Sequence, residues 1–429
     1  MNIMMMTNTF TPHRGGVARS VEAFTAEYRK RGHRVLVVAP EFEDMPEHET
    51  DVERVPAIQN FNGSDFSVIV PIPGFLHSAV ERFRPDIIHS HHPFLIGAMA
   101  IRVASSRLLP LVFTHHTMYE HYTHYVPGDS PVMKRFVIDL ATNYANLCDQ
   151  VIAPSESTAA VLRDRGVTAP VDVVPTGVSP ERFGRGNGGA CRKVSRIPPD
   201  AFVVGHVGRL ALEKNLAFLT EAVVRFLVDR PNAHFMVVGS GDAEPDIHRI
   251  IERAGVADRL HSLGSLDHPA LADAYAAMDV FAFASTSETQ GMVLTEAMAA
   301  GVPVVALDAP GAREVVVDGR NGRLLSDQDV EAFAAALAMI ESAGPGQRER
   351  LTAAAHTTAA AFSIERSAET ALSIYERLRG IRRRHDGEPY DTWDAVLRLI
   401  EAEWNLLAGL ADAAGSALVS DAKGDDTVR

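Results

Sequence analysis

Short apolar runs alternate with amphipathic stretches along the first half of the chain. The clearest runs are rich in Val, Ile and Leu and cover residues 34–40, 86–91, 111–116 and 150–155. Residues 17–31 and 132–147 instead repeat their apolar side chains at helical intervals. This alternation predicts buried strands joined by helices, and therefore a parallel sheet built from βαβ units.

The same pattern begins again near residue 200. Further apolar runs that predict buried strands cover 202–209, 234–241, 280–285 and 302–308. Between the halves, GRGNGGACRKVSRIPP (184–199) concentrates Gly, Pro and charge, as interdomain linkers do. We therefore expect an α/β protein with one domain at 1–185, a second at 198–363 and a helix near 364–384 that ends the second domain.

A further amphipathic segment, 391–412, follows the break at DGEPY. Its apolar side chains recur at intervals of three and four and form one stripe: Trp393, Leu397, Ile400, Trp404, Leu407 and Ala411. The stripe can be buried on the protein's own first domain, on a second copy of the chain or in a membrane interface. Acidic neighbours outnumber Arg398, which favours the body or a homodimer over anionic lipid. Residues 415–429 are small, polar and charged, which predicts a disordered tail.

Composition narrows the class of protein. A chain of 429 residues exceeds what one core usually supports, and 46% hydrophobic with 22% charged residues is typical of a globular protein. No apolar run approaches the roughly eighteen residues of a spanning helix, and MNIMMMTNTF reads as a buried strand rather than a signal peptide, so we expect a cytoplasmic protein. A net charge of -14 argues against nucleic acid as a partner. Its two cysteines are too few for a disulfide framework or a cysteine metal site.

A glycine pair follows the first predicted strand. Gly15 and Gly16 precede a helix that starts near residue 17, so bare backbone amides at a helix N-terminus can approach a phosphate closely. A tight turn without a ligand explains the pair equally well, because TPHRGG is not the full dinucleotide-binding pattern.

Two cations and two carboxylates stand out in the second half. Arg209 and Lys214 in GRLALEKN follow a predicted strand, and a guanidinium fork with a mobile ammonium suits a diphosphate. Solvated surface cations are the alternative. In SETQGMVLTEAMAAG (287–301), Glu288 lies in a loop and Glu296 in the following helix, where carboxylates can accept hydrogen bonds from vicinal hydroxyls of a hexose and a ribose. A capping acid and a surface acid remain the alternative.

Together these motifs resemble those of the retaining glycosyltransferases of family 4, which have the GT-B fold. In chain order, the matching segments are GGVARSVEAFTAEYRKRGH, HSHHP, THHT, APSESTAAVL, VPTGVSPERF, GRLALEKN, VVGSGD, SETQGMVLTEAMAAG and DGRNGRLL. The resemblance implies two Rossmann-like domains on either side of a cleft, with the helix near 364–384 crossing back to the first domain. It covers the chain to about residue 382.

The resemblance also implies roles for the matching residues. Arg209 and Lys214 would bind the donor diphosphate and stabilise the leaving charge. Glu288 would contact the sugar and Glu296 the ribose. The remaining donor contacts would come from Gly15, Gly16, Thr289, Gln290, Gly291 and Met292. His116, in THHT, would lie at the sugar as a positioning and electrostatic group, because the leaving phosphate helps to take the acceptor proton. No cofactor or metal is implied, since protein charges replace the metal.

The acceptor is indicated by HHTMYEHYTHYVP (115–127). This segment, together with SETQG, is similar to the subset of the family that glucosylates diacylglycerol, and Tyr119 and Tyr122 would supply amphipathic contacts to a lipid alcohol. The expected reaction moves a hexose, with glucose favoured, from a UDP-linked donor to a membrane lipid, with peripheral contact at the inner face of the membrane. A soluble or polysaccharide acceptor is the alternative.

Two other classes of protein would account for parts of the sequence. The histidines could form a metal site in a hydrolase: His89, His91, His92, His115, His116, His121 and His124. They lack a matched carboxylate pattern, which disfavours that class. The pair Asp327 and Asp329 reads as a helix N-terminus rather than a metal site. A non-catalytic sugar-nucleotide sensor is disfavoured by the full set of catalytic residue types.

Overall fold

A computed structural model describes residues 1–13, 15–59, 67–70, 72, 74–120, 130–286, 288–385 and 400–414. The chain divides into two compact units. Unit 1 contains Met1–Pro175 and the C-terminal part from Ser367, and unit 2 contains Thr176–Arg366. No helix in the described ranges is long and apolar enough to cross a membrane.

Unit 1 is built on a parallel sheet. Its strands are β1 (Asn2–Met6), β2 (Arg34–Pro40), β3 (Val52–Val55), β6 (Ile87–Ser90), β7 (Leu111–Thr114), β8 (Gln150–Ala153) and β9 (Val171–Val173), with a short antiparallel pair β4 (Ala57–Ile58) and β5 (Val68–Ile69) beside it. The order in the main sheet is β3-β2-β1-β6-β7-β8-β9. The central strands are buried on both faces, which is why they read as continuous apolar runs.

Helices cover the faces of this sheet. They are α1 (Gly16–Lys30), α2 (His77–Phe83), α3 (Ile96–Ser106), α4 (Pro131–Asn146) and α5 (Glu156–Asp164). Ser130 and Ser155 cap α4 and α5, where each side chain accepts a hydrogen bond from the backbone amide three residues on.

Unit 2 repeats the arrangement. Its strands are β10 (Phe202–Val207), β11 (Ala233–Val238), β12 (Leu260–Ser262), β13 (Val280–Phe283), β14 (Val304–Leu307) and β15 (Gly322–Leu325), in the parallel order β12-β11-β10-β13-β14-β15. Along β13, Phe281 and Phe283 pack into one apolar layer, while Val280 and Ala282 pack into the layer on the opposite face. The sheet is therefore buried between two layers of helices.

The helices of unit 2 are α6 (Pro180–Phe183), α7 (Gly188–Val194), α8 (Leu216–Val228), α9 (Glu244–Arg253), α10 (Ala270–Ala276), α11 (Met292–Ala299), α12 (Val330–Glu341) and α13 (Pro345–Ala361). Helix α14 (Ile364–His385) begins in unit 2 and continues into unit 1. There, the hydroxyl of Tyr375 is hydrogen-bonded to Tyr28 of α1 and to His89 of β6. The part of 391–412 that lies in the described residues is helical and belongs to helix α15 (400–414).

The predicted linker differs from the structure. Residues 184–199 contain α7, which packs on α10 inside unit 2, whereas the chain passes between the units at Pro175 and Thr176. A Cβ atom at Gly186 or at Gly188 would lie 2.1 Å from a backbone oxygen of α10. The glycines that suggested a linker therefore serve close packing between the two segments. The predicted tail, 415–429, lies outside the described residues.

Candidate functional site

Each sheet reverses its strand order at one place. The chain builds outward from β1 through β2 to β3 and then returns to β6 beside β1, and unit 2 repeats this with β10 and β13. In open parallel sheets, ligands bind at the carboxyl ends of the strands that flank such a switch point. The predicted site residues follow the switch-point strands or their neighbour β7.

The glycine pair in unit 1 lies where the loop after β1 enters α1. Gly15 is the N-cap of α1 and, having no side chain, makes no capping hydrogen bond to the first amides of that helix. A Cβ atom at Gly16 would meet no protein atom within 4 Å, so packing in the protein does not require glycine there. The open space beside bare amides is suited to an anionic group.

His116 lies directly beyond β7, beside the histidines that follow β6. Because β6 and β7 pair in parallel register, their carboxyl ends meet, and His91 Nδ1 is 2.9 Å from His116 Nε2. The two rings are stacked with centroids 5.2 Å apart. His91 therefore fixes the orientation of the half-buried His116 ring.

A buried chain of hydrogen bonds supports this pair from below. Tyr28 and Tyr375 hydroxyls are 3.1 Å apart, and the Tyr375 hydroxyl is 2.5 Å from His89 Nδ1. The other ring nitrogen of His89 is 2.7 Å from Thr114 Oγ1, and the His89 and His91 rings are 4.2 Å apart. Helix α14 thus contributes Tyr375 to the support of the histidine cluster.

The whole histidine cluster is neutral at pH 7. Burial lowers the pKa of four of its members from 6.5 to about 3, namely His89, His92, His115 and His116. Burial and neighbouring imidazoles also lower the pKa of His91 well below 6.5. His92 Nδ1 also accepts a hydrogen bond of 3.0 Å from the Asn8 amide, which places its proton on Nε2. The cluster can therefore orient hydrogen bonds but carries no full charge.

Tyr119 packs against the histidine cluster together with Phe94. Its ring meets Phe94 and His115 edge-on, with centroids 4.9 and 5.7 Å away. Among the residues that the structure describes, its hydroxyl has no hydrogen-bond partner, and burial raises its pKa. Tyr122, His121 and His124 lie outside the described residues.

Sequence reasoning missed Leu95 beside Phe94. Leu95 has a positive φ of 56°, a strained backbone for a leucine, and its side chain is 37% exposed immediately before α3. The motif HSHHP ends at Pro93, two residues before Leu95, and a single leucine gave no signal of an unusual conformation.

In unit 2, the predicted cation and carboxylate are bonded to each other. Lys214 Nζ is 2.6 Å from Glu288 Oε1, and the two side chains are only 15% and 22% exposed. Arg209 is more open, at 45% exposure, and donates a 2.7 Å hydrogen bond to Glu213. Partial burial makes the Lys214–Glu288 attraction stronger than that of an exposed pair. Lys214 is therefore not the solvated surface cation that the sequence left open.

The loop that carries Arg209 is fixed by a second loop. The Gly208 amide donates to the Val238 carbonyl, and the Leu210 amide donates to the Ser240 carbonyl at 2.9 Å. Gly239 has φ 137°, and a Cβ atom there would lie 1.8 Å from the Gly208 oxygen. The VVGSGD segment, which had no assigned role in the sequence, thus holds Arg209 in place.

His206 is a second residue that sequence reasoning missed. It is buried on β10, its Nδ1 is 3.1 Å from the Ala282 carbonyl, and its pKa is lowered to about 4 by burial and by the nearby Lys214. The nearby Glu288 acts in the opposite direction. A histidine at the end of a switch-point strand was the available signal.

The loop after β13 positions the other predicted donor contacts. The buried Gln290 side chain accepts from the Thr176 amide and donates to the Thr176 carbonyl, both at 2.6 Å. Gly291 is the N-cap of α11, Met292 is its first residue, and Thr289 lies half-buried beside Glu288. The Gln290 side chain is hydrogen-bonded to the Thr176 backbone. We therefore expect the backbone of this segment, and not that side chain, to contact the donor.

Glu296 lies in the second turn of α11 and is 5% exposed. Its Oε2 accepts a 2.7 Å hydrogen bond from the fully buried Tyr275 of α10. It is therefore not the surface acid of the alternative interpretation. Removing the carboxylate would take this acceptor away from the Tyr275 hydroxyl.

The predicted helix N-terminus at Asp329 is confirmed. Asp329 caps α12 by accepting a 3.0 Å hydrogen bond from the Ala332 amide, and Asp327 accepts from Ser326. Within the described ranges, no three histidine, cysteine or acidic side chains are grouped as a metal site would require. The metal independence of the chemistry stays a prediction.

Two family models match the chain. Glycosyltransferase Family 4 matches residues 14–182, and Glycosyl transferases group 1 matches residues 190–358. The chain belongs to glycosyltransferase family 4. The first match ends and the second begins close to the boundary between the two units of this family 4 enzyme. Each Rossmann-like unit therefore corresponds to one half of a GT-B glycosyltransferase.

Named relatives of the enzyme differ in acceptor. It is 28% identical over 338 residues to an alpha-monoglucosyldiacylglycerol synthase of Acholeplasma laidlawii, a match that covers 75% of this chain and 84% of the relative. It is 32% identical to a D-inositol 3-phosphate glycosyltransferase of Kribbella flavida, over 68% of this chain and 70% of the relative. The structure of Anabaena HepE with UDP and glucose superposes with a TM-score of 0.67 at 25% identity, over 87% and 99% of the chains. The enzyme is thus a hexosyltransferase with the GT-B fold.

Proposed function

We propose that this enzyme transfers glucose from UDP-glucose to diacylglycerol with retention of the anomeric configuration, as a peripheral protein at the inner face of a membrane. The observation that carries the proposal is the Lys214–Glu288 pair, with Arg209 beside it, at the switch point of unit 2. Cations suit the diphosphate and a carboxylate suits sugar hydroxyls, so the loops after β10 and β13 together would recognise both halves of a nucleotide sugar.

The donor would compete with two ion pairs of the protein for the cations Arg209 and Lys214. A diphosphate would draw Lys214 from Glu288 and Arg209 from Glu213, and Glu288 would then accept hydrogen bonds from the hexose. As the glycosidic bond breaks, negative charge grows on the leaving phosphate, and both cations stabilise it more strongly than they stabilise the ground state. No divalent cation is needed in this scheme.

Glu296 would hold the ribose diol. Its hydrogen bond from Tyr275 holds the carboxylate in a defined orientation, in which it would accept from the ribose hydroxyls. The backbone of Gln290, Gly291 and Met292 would line the sugar, and Gly16 would approach the diphosphate through the open space at the start of α1.

His116 would orient the sugar or the acceptor hydroxyl as a neutral group. Burial holds its pKa at about 3, which makes it a weak base at neutral pH, so the leaving phosphate takes the acceptor proton in front-face attack. Tyr119, with Phe94 beside it, offers the aromatic surface that an acyl-bearing alcohol would contact.

The diacylglycerol acceptor is supported by the likeness to the monoglucosyldiacylglycerol synthase, and a soluble acceptor by the higher identity to the inositol phosphate enzyme. The two candidates differ in charge and in apolar surface. The ring contacts of Tyr119 with Phe94 and His115 favour the lipid, because they offer an aromatic surface to an acyl-bearing alcohol.

The test is a donor and acceptor panel. Purified enzyme would be incubated with UDP-glucose or GDP-mannose, and with diacylglycerol in detergent micelles or D-inositol 3-phosphate. We expect release of UDP and formation of an α-glucosyl lipid, identified by the anomeric coupling in its NMR spectrum. Transfer to inositol phosphate alone, or a β-linked product, would contradict the proposal.

A further inference from the structure

Helix α15 packs on unit 1 through its small residues. Ala402 and Ala413 are buried, and Leu406 packs against the core of unit 1. A side chain at Gly409 would lie 3.2 Å from Asn143 Cβ, and Asn143 donates a hydrogen bond of 3.1 Å to the Gly409 carbonyl. Glu403 also forms a bidentate ion pair with Arg102 of α3. The helix is therefore fixed to the protein's own body.

The apolar stripe of the sequence points the other way. Ile400, Trp404 and Leu407 are 61%, 72% and 62% exposed, and Leu410 at the edge of the stripe is 46% exposed. A rotation of 100° per residue places Ile400, Trp404 and Leu407 opposite Ala402, Gly409 and Ala413. The sequence favours the protein's own body or a second copy of the chain as the cover of this stripe, and the body does not bury its described part. Burial by a second copy stays a prediction. We call the four exposed side chains the α15 face.

The α15 face has the chemistry of an interfacial helix. Tryptophan is favoured at the boundary between headgroups and acyl chains, and helices that lie in this plane bury an apolar face to a depth of about 5–10 Å. Between residues 400 and 414 the chain contains no lysine or arginine. Glu401 and Asp412 are exposed on one edge of the face, and Glu403, whose side chain is 40% exposed and paired with Arg102, lies between Leu407 and Leu410. Attraction to anionic headgroups therefore contributes nothing from this helix.

A second copy of the chain is the other candidate occupant. Multiplying the exposed fractions by typical side-chain areas gives an apolar area on the order of 350 Å². A standard protein interface buries about 800 Å² per partner. The α15 face alone is therefore too small for a stable dimer, whereas insertion into a bilayer requires no complementary protein surface.

We propose that the α15 face docks this enzyme on an electrically neutral bilayer surface by insertion of Trp404 and its apolar neighbours. This inference rests on the proposed function in one respect, because a diacylglycerol acceptor must be taken from a membrane. It adds a specific surface to that function, in a segment that neither family model covers.

The test compares two double variants of the full chain. W404S/L407S removes the apolar side chains of the face, and V194S/V228S removes two exposed apolar side chains of unit 2 as a matched control. Co-sedimentation with phosphatidylcholine vesicles should give a partition coefficient at least about tenfold lower for W404S/L407S, and an unchanged one for the control. Melting temperatures should match the wild type, because the substituted side chains are exposed.

Lipid charge separates apolar insertion from electrostatic binding. Adding phosphatidylglycerol should not strengthen wild-type binding, and raising the salt concentration should not weaken it. Equal binding by wild type and W404S/L407S, no binding by the wild type, or binding that requires anionic lipid would overturn the assignment. A wild-type dimer that W404S/L407S converts to monomer would assign the face to a second copy instead.

A fluorescence measurement covers the case in which the double variant folds poorly. The chain has two tryptophans, so W393F leaves Trp404 as the emitter. Its emission should shift to shorter wavelength on addition of vesicles, and an unchanged spectrum would also overturn the proposal. Activity on diacylglycerol in detergent micelles should be equal in wild type and W404S/L407S. Failure of that activity in both would count against the proposed function, while vesicle binding still tests the surface.

Discussion

The two switch points handle charge in opposite ways. In unit 1, buried imidazoles stack and hydrogen-bond to one another, and burial keeps them neutral. In unit 2, the equivalent edge of the sheet contains full charges, paired as Lys214 with Glu288 and Arg209 with Glu213. Similar topology therefore supports a site that orients uncharged groups in one unit and a site that recognises an ionic ligand in the other.

This difference separates positioning from transition-state stabilisation. A neutral imidazole supplies hydrogen bonds of ordinary strength, whereas partly buried cations act on charge that develops during bond cleavage. The loss of a charged residue in unit 2 should therefore exceed the loss of a histidine in unit 1.

The largest effect is expected from Lys214→Ala. Removing the ammonium should lower kcat by roughly one hundredfold or more, because the leaving diphosphate loses a cation in the transition state. Steady-state kinetics with UDP-glucose would measure this, with the exposed Lys193→Ala as control. Arg209→Ala should fall in the same range, and full activity in either variant would remove the charge assignment.

The two glutamates of unit 2 should differ in the part of the donor they bind. Glu296→Gln retains an acceptor for Tyr275 and should lower the affinity for UDP by about tenfold, the effect of a lost charged hydrogen bond. Glu288→Ala should weaken UDP-glucose by a similar factor but leave UDP unaffected or bound more tightly, because Lys214 loses a competing carboxylate. Calorimetric titration with both ligands, with the exposed Glu349→Ala as control, measures the split. Equal losses for both ligands in both variants would disprove it.

A smaller effect is expected from His116→Asn in unit 1. If His116 positions a hydroxyl, kcat should fall by about tenfold, the equivalent of one hydrogen bond, with UDP affinity unchanged. The pH profile of kcat should show no ionisation between pH 6 and 8 that disappears in the variant, since the His116 pKa lies at about 3. A loss of a thousandfold together with such an ionisation would identify His116 as a general base.

Acid should destabilise unit 1 before unit 2. Folded-state pKa values of about 3 against 6.5 mean that unfolding takes up protons between these limits, so stability is complete above about pH 6.5 and falls as the pH decreases toward 3. In unit 1, several histidines with lowered pKa values contribute to this loss of stability together. In unit 2, His206 contributes in the same way, with a pKa of about 4. Hydrogen exchange at pH 7 and 5 should show the larger loss of protection in β6 and β7. Uniform exchange at both pH values would contradict the comparison.

The smallest effect is expected from chelation. Wild-type turnover should be unchanged in excess EDTA, because Arg209 and Lys214 take the place of a metal at the diphosphate. A loss that Mg²⁺ or Mn²⁺ restores would show that the charges of unit 2 are not sufficient.

Much of the fold follows from periodicity because its central strands are buried on both faces. The predicted run 34–40 coincides with β2, and the runs at 202–209 and 280–285 contain β10 and β13. Edge strands escaped notice because they are short and partly exposed: β9 reads only VDV and β12 only LHS. The exposed and buried faces of α15 could not be separated either, since Ala and Gly at the buried face carry little hydrophobic signal.

The site shows the same division. Arg209, Lys214 and Glu288 were recognised because each follows an apolar run and carries a charge. Glu213, which pairs with Arg209, and His206, which lies near Lys214, were not recognised, because their contacts exist only in the folded protein. The support of His89 by Tyr375 joins residues far apart in sequence, and no local pattern reports such a contact.

The contact between the loops after β10 and β11 limits how this chain can vary. A single methyl group at Gly239 would overlap the Gly208 carbonyl, and one at Gly241 would approach the Leu210 carbonyl to 2.4 Å. In a saturation library, Gly239 and Gly241 should tolerate substitution as poorly as catalytic residues do, although they contact only the protein's own backbone and not a substrate. A screen for stability and a screen for transferase activity would then reject the same variants here, whereas at Lys214 the two screens would disagree.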